Sequence, residues 1–96
     1  MIVSFASKMV ADIFNGVNSR HARKLPVSLH SKAHRLLDQI NATTRIDTLR
    51  VPPSNKLSKL TGNYKGFWRL KIDKQWAIIF IWNNGNAENV DIVDYH

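Results

Sequence analysis

The fold is decided by the stretch Gln75-Trp-Ala-Ile-Ile-Phe-Ile-Trp-Asn-Asn-Gly-Asn-Ala-Glu-Asn-Val-Asp-Ile-Val-Asp-Tyr-His96, which has the pattern of two strands joined by a tight turn. Residues 75–82 contain the longest apolar run of the sequence, which is rich in isoleucine and has the length of one buried strand. Residues 83–86, Asn-Asn-Gly-Asn, favour a hairpin turn. Residues 88–96 alternate between apolar and polar side chains, as a strand with one buried face does. The stretch therefore predicts a β-hairpin.

A period of two also runs through the part of the sequence before this hairpin. Residues 67–72 alternate between two sets of side chains, and a shorter strand is expected between Leu57 and Leu60. Residues 62–66 suit the loop between these strands, and Asp73-Lys74 suits the turn that follows them. Together with the hairpin, this pattern predicts a meander of antiparallel strands.

Two helices are expected before the sheet. Residues 8–15 have apolar side chains at helical spacing and are followed by Gly16, a common residue just after a helix. From Leu29 to Ile40 the apolar residues recur at offsets of 0, 4, 7, 8 and 11, which places them on one helical face. Pro26 suits the first turn of this second helix.

Helices followed by antiparallel strands predict an α+β fold, with N-terminal helices packed on an antiparallel β-sheet. Residues 1–5 alternate weakly and are a candidate edge strand. A length of 96 residues suits one core, and the sequence contains no internal repeat. We therefore expect residues 1–96 to form a single domain.

The composition excludes several classes of protein. A hydrophobic content of 44% is that of an ordinary globular domain. The sequence has no cysteine, which excludes a disulfide framework and a thiolate metal site. No apolar run is long enough to cross a membrane, and residues 1–5 are too short for the core of a signal peptide. We expect a cytoplasmic protein that does not enter a membrane.

The charge is strongly basic and unevenly distributed. Residues 1–74 contain all 14 Lys and Arg and four acidic residues, a net charge of +10, whereas residues 75–96 contain three acidic residues and no Lys or Arg. A pI near 10.2 suits a polyanionic partner, and nucleic acid is the first candidate. The alternative is that the charge serves solubility alone.

A set of basic residues lies on the predicted strands and on the loop between them. On a meander these residues would gather in one region of the sheet, with Tyr64 and Phe67 interleaved. Cations with neighbouring aromatic rings suit a phosphate backbone and unpaired bases, as in single-stranded RNA. The alternative is a solvent-facing rim whose lysines discourage edge pairing. The predicted RNA-binding residues are Lys56, Lys59, Lys65, Arg69 and Lys71.

Acid–base chemistry is concentrated in the last three residues of the sequence. Asp94, Tyr95 and His96 supply a carboxylate, a phenol and an imidazole, and histidine is the side chain best suited to proton transfer near neutral pH. On a strand, Asp94 and His96 share a face, whereas Tyr95 points to the other. The alternative is a solvated polar terminus.

A metal or cofactor site is not expected. His30, His34 and Asp38 follow one another at intervals of four on the second helix, but no glutamate follows His30 as in a zinc-protease motif, so we interpret the three as a solvated flank. The sequence also lacks a glycine-rich phosphate loop. The chemistry that remains is acid–base catalysis on a bound polyanion.

Several segments, taken together, resemble the HigB-type toxins of bacterial type II toxin–antitoxin systems, within the RelE/ParE superfamily. Their order and spacing match over nearly the whole sequence, and the last segment and the Pro-Pro-Ser-Asn-Lys-Leu segment are the most specific. The segments are Met1-Ile-Val-Ser-Phe5, Leu49-Arg-Val-Pro-Pro-Ser-Asn-Lys-Leu57, Leu60-Thr-Gly62, Gln75-Trp-Ala-Ile-Ile-Phe80 and Val90-Asp-Ile-Val-Asp-Tyr-His96.

The resemblance implies a RelE-like fold and a ribosome-dependent endoribonuclease that cleaves mRNA in the ribosomal A site without metal or cofactor. Asp94, Tyr95 and His96 match the family's catalytic motif. His96 would protonate the leaving 5′-oxygen or take the 2′ proton, Asp94 would orient the imidazole or share the proton transfer, and Tyr95 would stack on a base or bind the phosphate. The resemblance also implies a partner, a HigA-type helix-turn-helix antitoxin. The toxin would contact operator DNA only through this antitoxin.

The sequence departs from the family at Ala77, where the family motif has an arginine. The cleavage passes through a phosphorane with extra negative charge, which a guanidinium stabilises and a methyl group does not. We therefore expect an impaired nuclease, either by nature or because the arginine was replaced to make a toxic protein producible, and the intact neighbouring residues favour replacement. Some relatives carry a histidine and a lysine around Ser58 and Thr61, so those roles are not transferred.

A second class of function is a binding module without catalysis, such as a ParE-like topoisomerase inhibitor or an RNA-binding domain. The acid–base residues at positions 94–96 distinguish the two classes, because a protein that only binds does not need them.

Overall fold

The computed structural model describes residues 1–94, which form two α-helices on a four-stranded antiparallel sheet. The strands lie in the order β1-β2-β3-β4, which confirms the predicted α+β fold and meander. The elements are α1 (Lys8–Phe14), α2 (His30–Ala42), β1 (Ser58–Lys59), β2 (Phe67–Lys71), β3 (Trp76–Asn83) and β4 (Asn86–Asp94). Among the described residues, no helix is long and apolar enough to cross a membrane.

The β3–β4 hairpin has the turn that the sequence predicts. Asn83 pairs with Asn86, and the two residues between them have positive φ angles, 52° at Asn84 and 82° at Gly85. Two left-handed residues in a two-residue loop match the twist of the flanking strands, and asparagine followed by glycine adopts this conformation most easily. The prediction of this hairpin is confirmed.

A bulge in β4 interrupts the alternation that the sequence suggests. Ile79 pairs with Asp91 and Ile81 with Glu88, so that more residues of β4 than of β3 lie between the two pairs. Asn89 takes up the extra residue with φ 51°. The bulge changes which positions face the core. Ala87 and Val90, which are three residues apart, are therefore both buried.

The helices and one face of the sheet enclose the core. The buried face of α2 consists of the residues at the predicted helical spacing, and it shares one core with Leu70, Ile78 and Phe80 of the sheet. Burial of a full aliphatic side chain contributes roughly 1.5–3 kcal/mol, so this face accounts for most of the stability of α2. Pro26 lies outside α2, because its ψ of 134° is extended and a short 3₁₀ turn, Val27–Leu29, comes between.

The N-terminal segment runs parallel to the outer edge of β4. Ile2 forms a bridge with Ala87 and Phe5 with Val90, while between them the bulge turns the backbone N–H of Asn89 toward Ser4 Oγ, at 2.8 Å. The predicted edge strand is therefore reduced to two isolated bridges. These bridges still cover an edge that would otherwise be open to another chain.

A buried carboxylate joins α1 to the basic segment that follows it. The Ser19 hydroxyl and the Lys8 ammonium donate hydrogen bonds to Asp12, the latter at 3.3 Å. The hydrogen bond from Ser19 is the main reason why the pKa of Asp12 lies below its ordinary value. Ser19 also accepts from the backbone N–H of Ala22, so the carboxylate organises the chain beyond the helix.

Candidate active site

The strand register separates the side chains of the sheet into two faces. Leu70, Ile78 and Phe80 point into the core under the helices. Residues of the other parity, including Arg69 and Ala77, lie on the opposite face because side chains alternate along a strand. The candidate site lies on this opposite face.

A cavity of about 100 Å³ lies on this face. Four of its six lining residues are aliphatic, and the other two, Arg69 and Tyr64, have polar groups in their side chains. An apolar cavity with a few convergent polar groups is the usual form of a ligand site. The lining residues are Leu60, Tyr64, Arg69, Ala77, Ile79 and Val93.

Ala77 is one of the lining residues and is fully buried. It pairs with Lys71 on one side and with Val93 on the other, whereas Arg69 pairs with Ile79. Arg69 is therefore the diagonal neighbour of Ala77 across β2 and β3, an arrangement in which long side chains still reach one another's position. The position predicted to lack its arginine thus has another arginine at the diagonal position of the adjacent strand.

Two aromatic residues on this side of the sheet are in contact. The ring centroids of Tyr64 and Phe67 are 6.0 Å apart with an edge-to-face geometry, and Tyr64 remains 47% exposed. Such an exposed ring beside a cavity presents a face on which a base can stack. The predicted interleaving of aromatic and basic residues is found here.

The predicted RNA-binding cations do not all share one face. Arg69 and Lys71 lie on the cavity face, whereas Lys59 pairs with Trp68 and holds its ammonium 5.7 Å from the centre of that ring. Trp68 packs against the core under the helices, so Lys59 lies on the other face. The expectation of one common sheet region is therefore wrong for Lys59, because side chains alternate along a strand and Lys59 has the parity that faces the helices.

Lys56 and Lys65 lie in connections. Lys56 follows a 3₁₀ turn, Pro53–Asn55, with a left-handed backbone at φ 52°. Lys65 follows the 3₁₀ turn Gly62–Tyr64 in the loop between β1 and β2. Both side chains are exposed, so both are accessible to a polyanion.

Asp94 lies at the end of β4, directly after Val93 of the cavity wall. It is exposed and accepts a hydrogen bond from Gln75 Nε2 at 2.8 Å. Because it pairs with Trp76, which packs against the core, Asp94 has the parity of the helix side and not that of the cavity face. The other two predicted catalytic residues, Tyr95 and His96, lie outside the described residues, and their roles stay predictions.

The histidines of α2 have local partners. A ring nitrogen of His30 lies 2.9 Å from the carbonyl oxygen of Leu25, and His34 Nδ1 lies 3.6 Å from Asp38 Oδ2. Within residues 1–94, no three His, Asp or Glu side chains are grouped so that they could hold a metal ion.

A family model described as a RelE-like toxin of the type II toxin–antitoxin system HigB matches residues 3–96. The chain belongs to this HigB-like toxin family. It is also 33% identical over 89 residues to Toxin HigB-1 of Vibrio cholerae serotype O1, a match that covers 93% of this chain and 92% of that toxin. The resemblance inferred from the sequence segments is confirmed.

Solved structures confirm a RelE-like fold for this HigB-like toxin. It superimposes with a TM-score of 0.62 on a chain of the YoeB-YefM complex from Staphylococcus aureus, at 16% identity, covering 100% of this chain and 98% of that chain. The TM-score with YafQ from Escherichia coli strain BL21(DE3) is 0.57, also at 16% identity, covering 98% and 93%. At this identity the similarity shows the shared fold alone.

Proposed function

We propose that this HigB-like toxin is a ribosome-dependent endoribonuclease that cleaves mRNA in the A site. The observation that carries the proposal is the position of Val93, which lines the cavity beside Ala77 and is followed directly in the sequence by Asp94-Tyr95-His96. The cavity wall and the acid–base residues of the family motif are thereby adjacent in sequence at one end of β4, where Asp94 itself pairs with Trp76 on the helix side of the sheet.

The proposed reaction is transesterification within the RNA. The 2′-oxygen attacks the adjacent phosphorus and loses its proton, the bond from phosphorus to the 5′-oxygen breaks, and that oxygen receives a proton. The products are a 2′,3′-cyclic phosphate and a 5′-hydroxyl. His96 exchanges protons with the reacting oxygens, Asp94 orients the imidazole, and Tyr95 stacks on a base next to the cut. No metal or cofactor takes part in these steps.

The substitution at position 77 makes this toxin a weak nuclease. The phosphorane carries more negative charge than the substrate, so the strongest contribution comes from a cation already placed where that charge develops. Ala77 lies in the cavity wall without a charge to offer. The family arginine at this position would occupy the same cavity.

RNA is held mainly from the cavity face. Arg69 and Lys71 lie beside the cavity, and Lys56 and Lys65 extend the positive surface along the adjoining connections. Lys59 contributes only to the long-range field, because it lies on the other face.

The family implies an antitoxin partner. We infer that this antitoxin is a HigA-type helix-turn-helix protein and that the toxin contacts operator DNA only through it. The relevant substrate of the free toxin is then the mRNA on the ribosome.

A mapping experiment tests the proposal against the two binding functions. A defined mRNA is positioned with a known codon in the A site of purified ribosomes, the Ala77→Arg toxin is added, and the new 5′ ends are sequenced. We expect cuts within the A-site codon and an intact transcript when ribosomes are omitted. An intact transcript in both samples contradicts the proposal, and loss of DNA gyrase supercoiling in a parallel assay would then identify a topoisomerase inhibitor.

A further inference from the structure

We propose that Arg69 contacts the scissile phosphate and supplies the guanidinium that the cavity would otherwise lack at Ala77. The inference rests on the proposed nuclease function and adds to it a residue of the neighbouring strand. Arg69 contributes the positive charge among the residues that line the cavity.

The backbone fixes Arg69 in this position. Its strand, β2, lies between β1 and β3, and Arg69 itself is paired on both sides, with Ser58 and with Ile79. A residue held by two neighbouring strands keeps its direction better than a residue in a loop. The backbone of Arg69 is thus held on a rigid part of the sheet, and its side chain belongs to the lining of the cavity.

The distance to Ala77 suits this role. Diagonal neighbours on an antiparallel pair have side chains about 7–8 Å apart, which the length of an arginine side chain covers. Ala77 has only a methyl group and lines the same cavity. A phosphate in this cavity would contact both Arg69 and the aliphatic residues of the lining.

The aliphatic wall strengthens the interaction. Ile79 and Ala77 are buried, and Leu60 and Val93 complete the apolar lining. A charge pair is attracted more strongly when water is excluded from its surroundings. A guanidinium also binds two phosphate oxygens at once, whereas the ammonium of Lys71 acts as a point charge.

The ring of Tyr64 adds a second feature of a nucleotide site. It lines the same cavity and is held edge-to-face by Phe67 at 6.0 Å. A phosphate on Arg69 would place an adjoining sugar and base within the reach of this exposed ring. One guanidinium, one aromatic face and an apolar wall together fit one nucleotide of a single strand.

A double-mutant cycle tests the proposal. Arg69→Gln is prepared in the present sequence and in the Ala77→Arg background, and single-turnover cleavage of mRNA on saturating ribosomes is measured for the four proteins. In the present sequence we expect Arg69→Gln to lower the rate about 10²–10³-fold, the range for loss of one donor to a developing oxyanion. In the Ala77→Arg background we expect a loss below tenfold, because the second guanidinium takes the same phosphate.

Lys74→Gln is the matched control, since it removes the same charge from the exposed β2–β3 turn away from the cavity. It should change the rate less than threefold in both backgrounds. Arg69→Lys keeps the positive charge and is the variant to use if Arg69→Gln does not fold. It should retain only part of the parental cleavage rate, because an ammonium does not bind two phosphate oxygens at once.

The possible outcomes separate the inference from the function on which it rests. In one outcome the Ala77→Arg protein cleaves mRNA, but in the present sequence Arg69→Gln lowers the cleavage rate no more than Lys74→Gln does. This outcome overturns the role of Arg69 and leaves the nuclease proposal standing. Equal losses in both backgrounds also overturn it, because they place Arg69 on a different group. An intact mRNA with all four proteins overturns the nuclease proposal, and the role of Arg69 with it.

Discussion

Arg69 and Ala77 are diagonal neighbours on β2 and β3, and they line the same cavity on the sheet face opposite the helices. Arg69 lies on the adjacent strand, at the position diagonal to this alanine. We propose that Arg69, on the neighbouring strand, takes the role of the arginine expected at position 77 from the family motif.

Proton transfer by His96 predicts a large effect of a small substitution. Glutamine donates and accepts hydrogen bonds but does not exchange a proton near neutral pH, so His96→Gln in the Ala77→Arg background should lower the cleavage rate about 10²–10⁴-fold. Binding to ribosomes should be unchanged, since the substitution leaves the basic surface intact. A rate within threefold of the parent would assign the proton transfer to Asp94 or Tyr95.

The two sheet faces predict different effects of the same charge reversal. Lys71→Glu changes a residue of the cavity face, whereas Lys59→Glu changes a residue of the other face. Both substitutions change the net charge by the same amount, so they differ only in position. We expect Lys71→Glu to weaken binding to mRNA-loaded ribosomes at least several-fold more than Lys59→Glu, measured by filter retention. Equal effects would show that RNA responds only to net charge.

The basic surface predicts steep salt dependence. Each phosphate neutralised by a cation releases counterions, so the logarithm of the binding constant should fall linearly with the logarithm of the salt concentration. Loss of one phosphate contact in Lys71→Glu should reduce the slope by about one. Binding that does not change with salt would indicate an apolar protein contact instead.

Catalysis by side chains alone predicts resistance to chelation. With magnesium kept in excess for the ribosome, a chelator selective for zinc and manganese should leave cleavage by the Ala77→Arg toxin unchanged. Loss of cleavage that zinc or manganese restores would require a metal ligand set and would direct attention to His30 and His34.

The buried Asp12 predicts how stability depends on pH. Its pKa is lowered in the folded chain, mainly by the hydrogen bond from Ser19. A lowered folded pKa contributes stability that is complete above the unfolded value, about pH 4, and is lost as the pH falls through the folded value. Asp12→Asn should therefore lower the free energy of unfolding at pH 7 and make its decline below pH 4 shallower, as measured by urea unfolding.

The control for this prediction is Asp47→Asn. Asp47 is exposed and pairs with Arg50 at 3.2 Å on the surface, an arrangement that contributes little to stability. If Asp12→Asn had the same free energy of unfolding as the parent protein at pH 7 and below pH 4, the carboxylate would not stabilise the segment after α1.

The fold was predictable from sequence where local periodicity and turn chemistry agree. Asn84-Gly85 defined the β3–β4 hairpin because both residues adopt positive φ at little cost. The bulge at Asn89 was not predicted, since asparagine tolerates positive φ in many contexts and the sequence does not indicate where a strand must absorb an extra residue. Pro26 was assigned to α2 because proline favours a first turn, a preference that the 3₁₀ turn also satisfies.

The sequence indicated single residues that line the cavity but not the arrangement that brings them together. Ala77 followed from the family motif, and Arg69 from its charge and strand. Their proximity depends on the β2–β3 register, which one more or one fewer residue in the turn would have changed. Lys59 was wrongly grouped with them because the register of β1 on β2 pairs it with Trp68. Leu60 and Val93 of the cavity wall were not identified, because an apolar side chain alone does not indicate a site.

The most direct test of the account is the rate of A-site cleavage by Ala77→Arg compared with the present sequence and with Ala77→Met, which adds similar length without charge. If the cavity holds the scissile phosphate, a second guanidinium should raise the single-turnover rate at least tenfold, up to the 10²–10³-fold that about 2.7–4 kcal/mol of transition-state stabilisation provides. Ala77→Met should not exceed the present sequence. Equal rates for the arginine and methionine variants would contradict the assignment of this cavity to RNA cleavage.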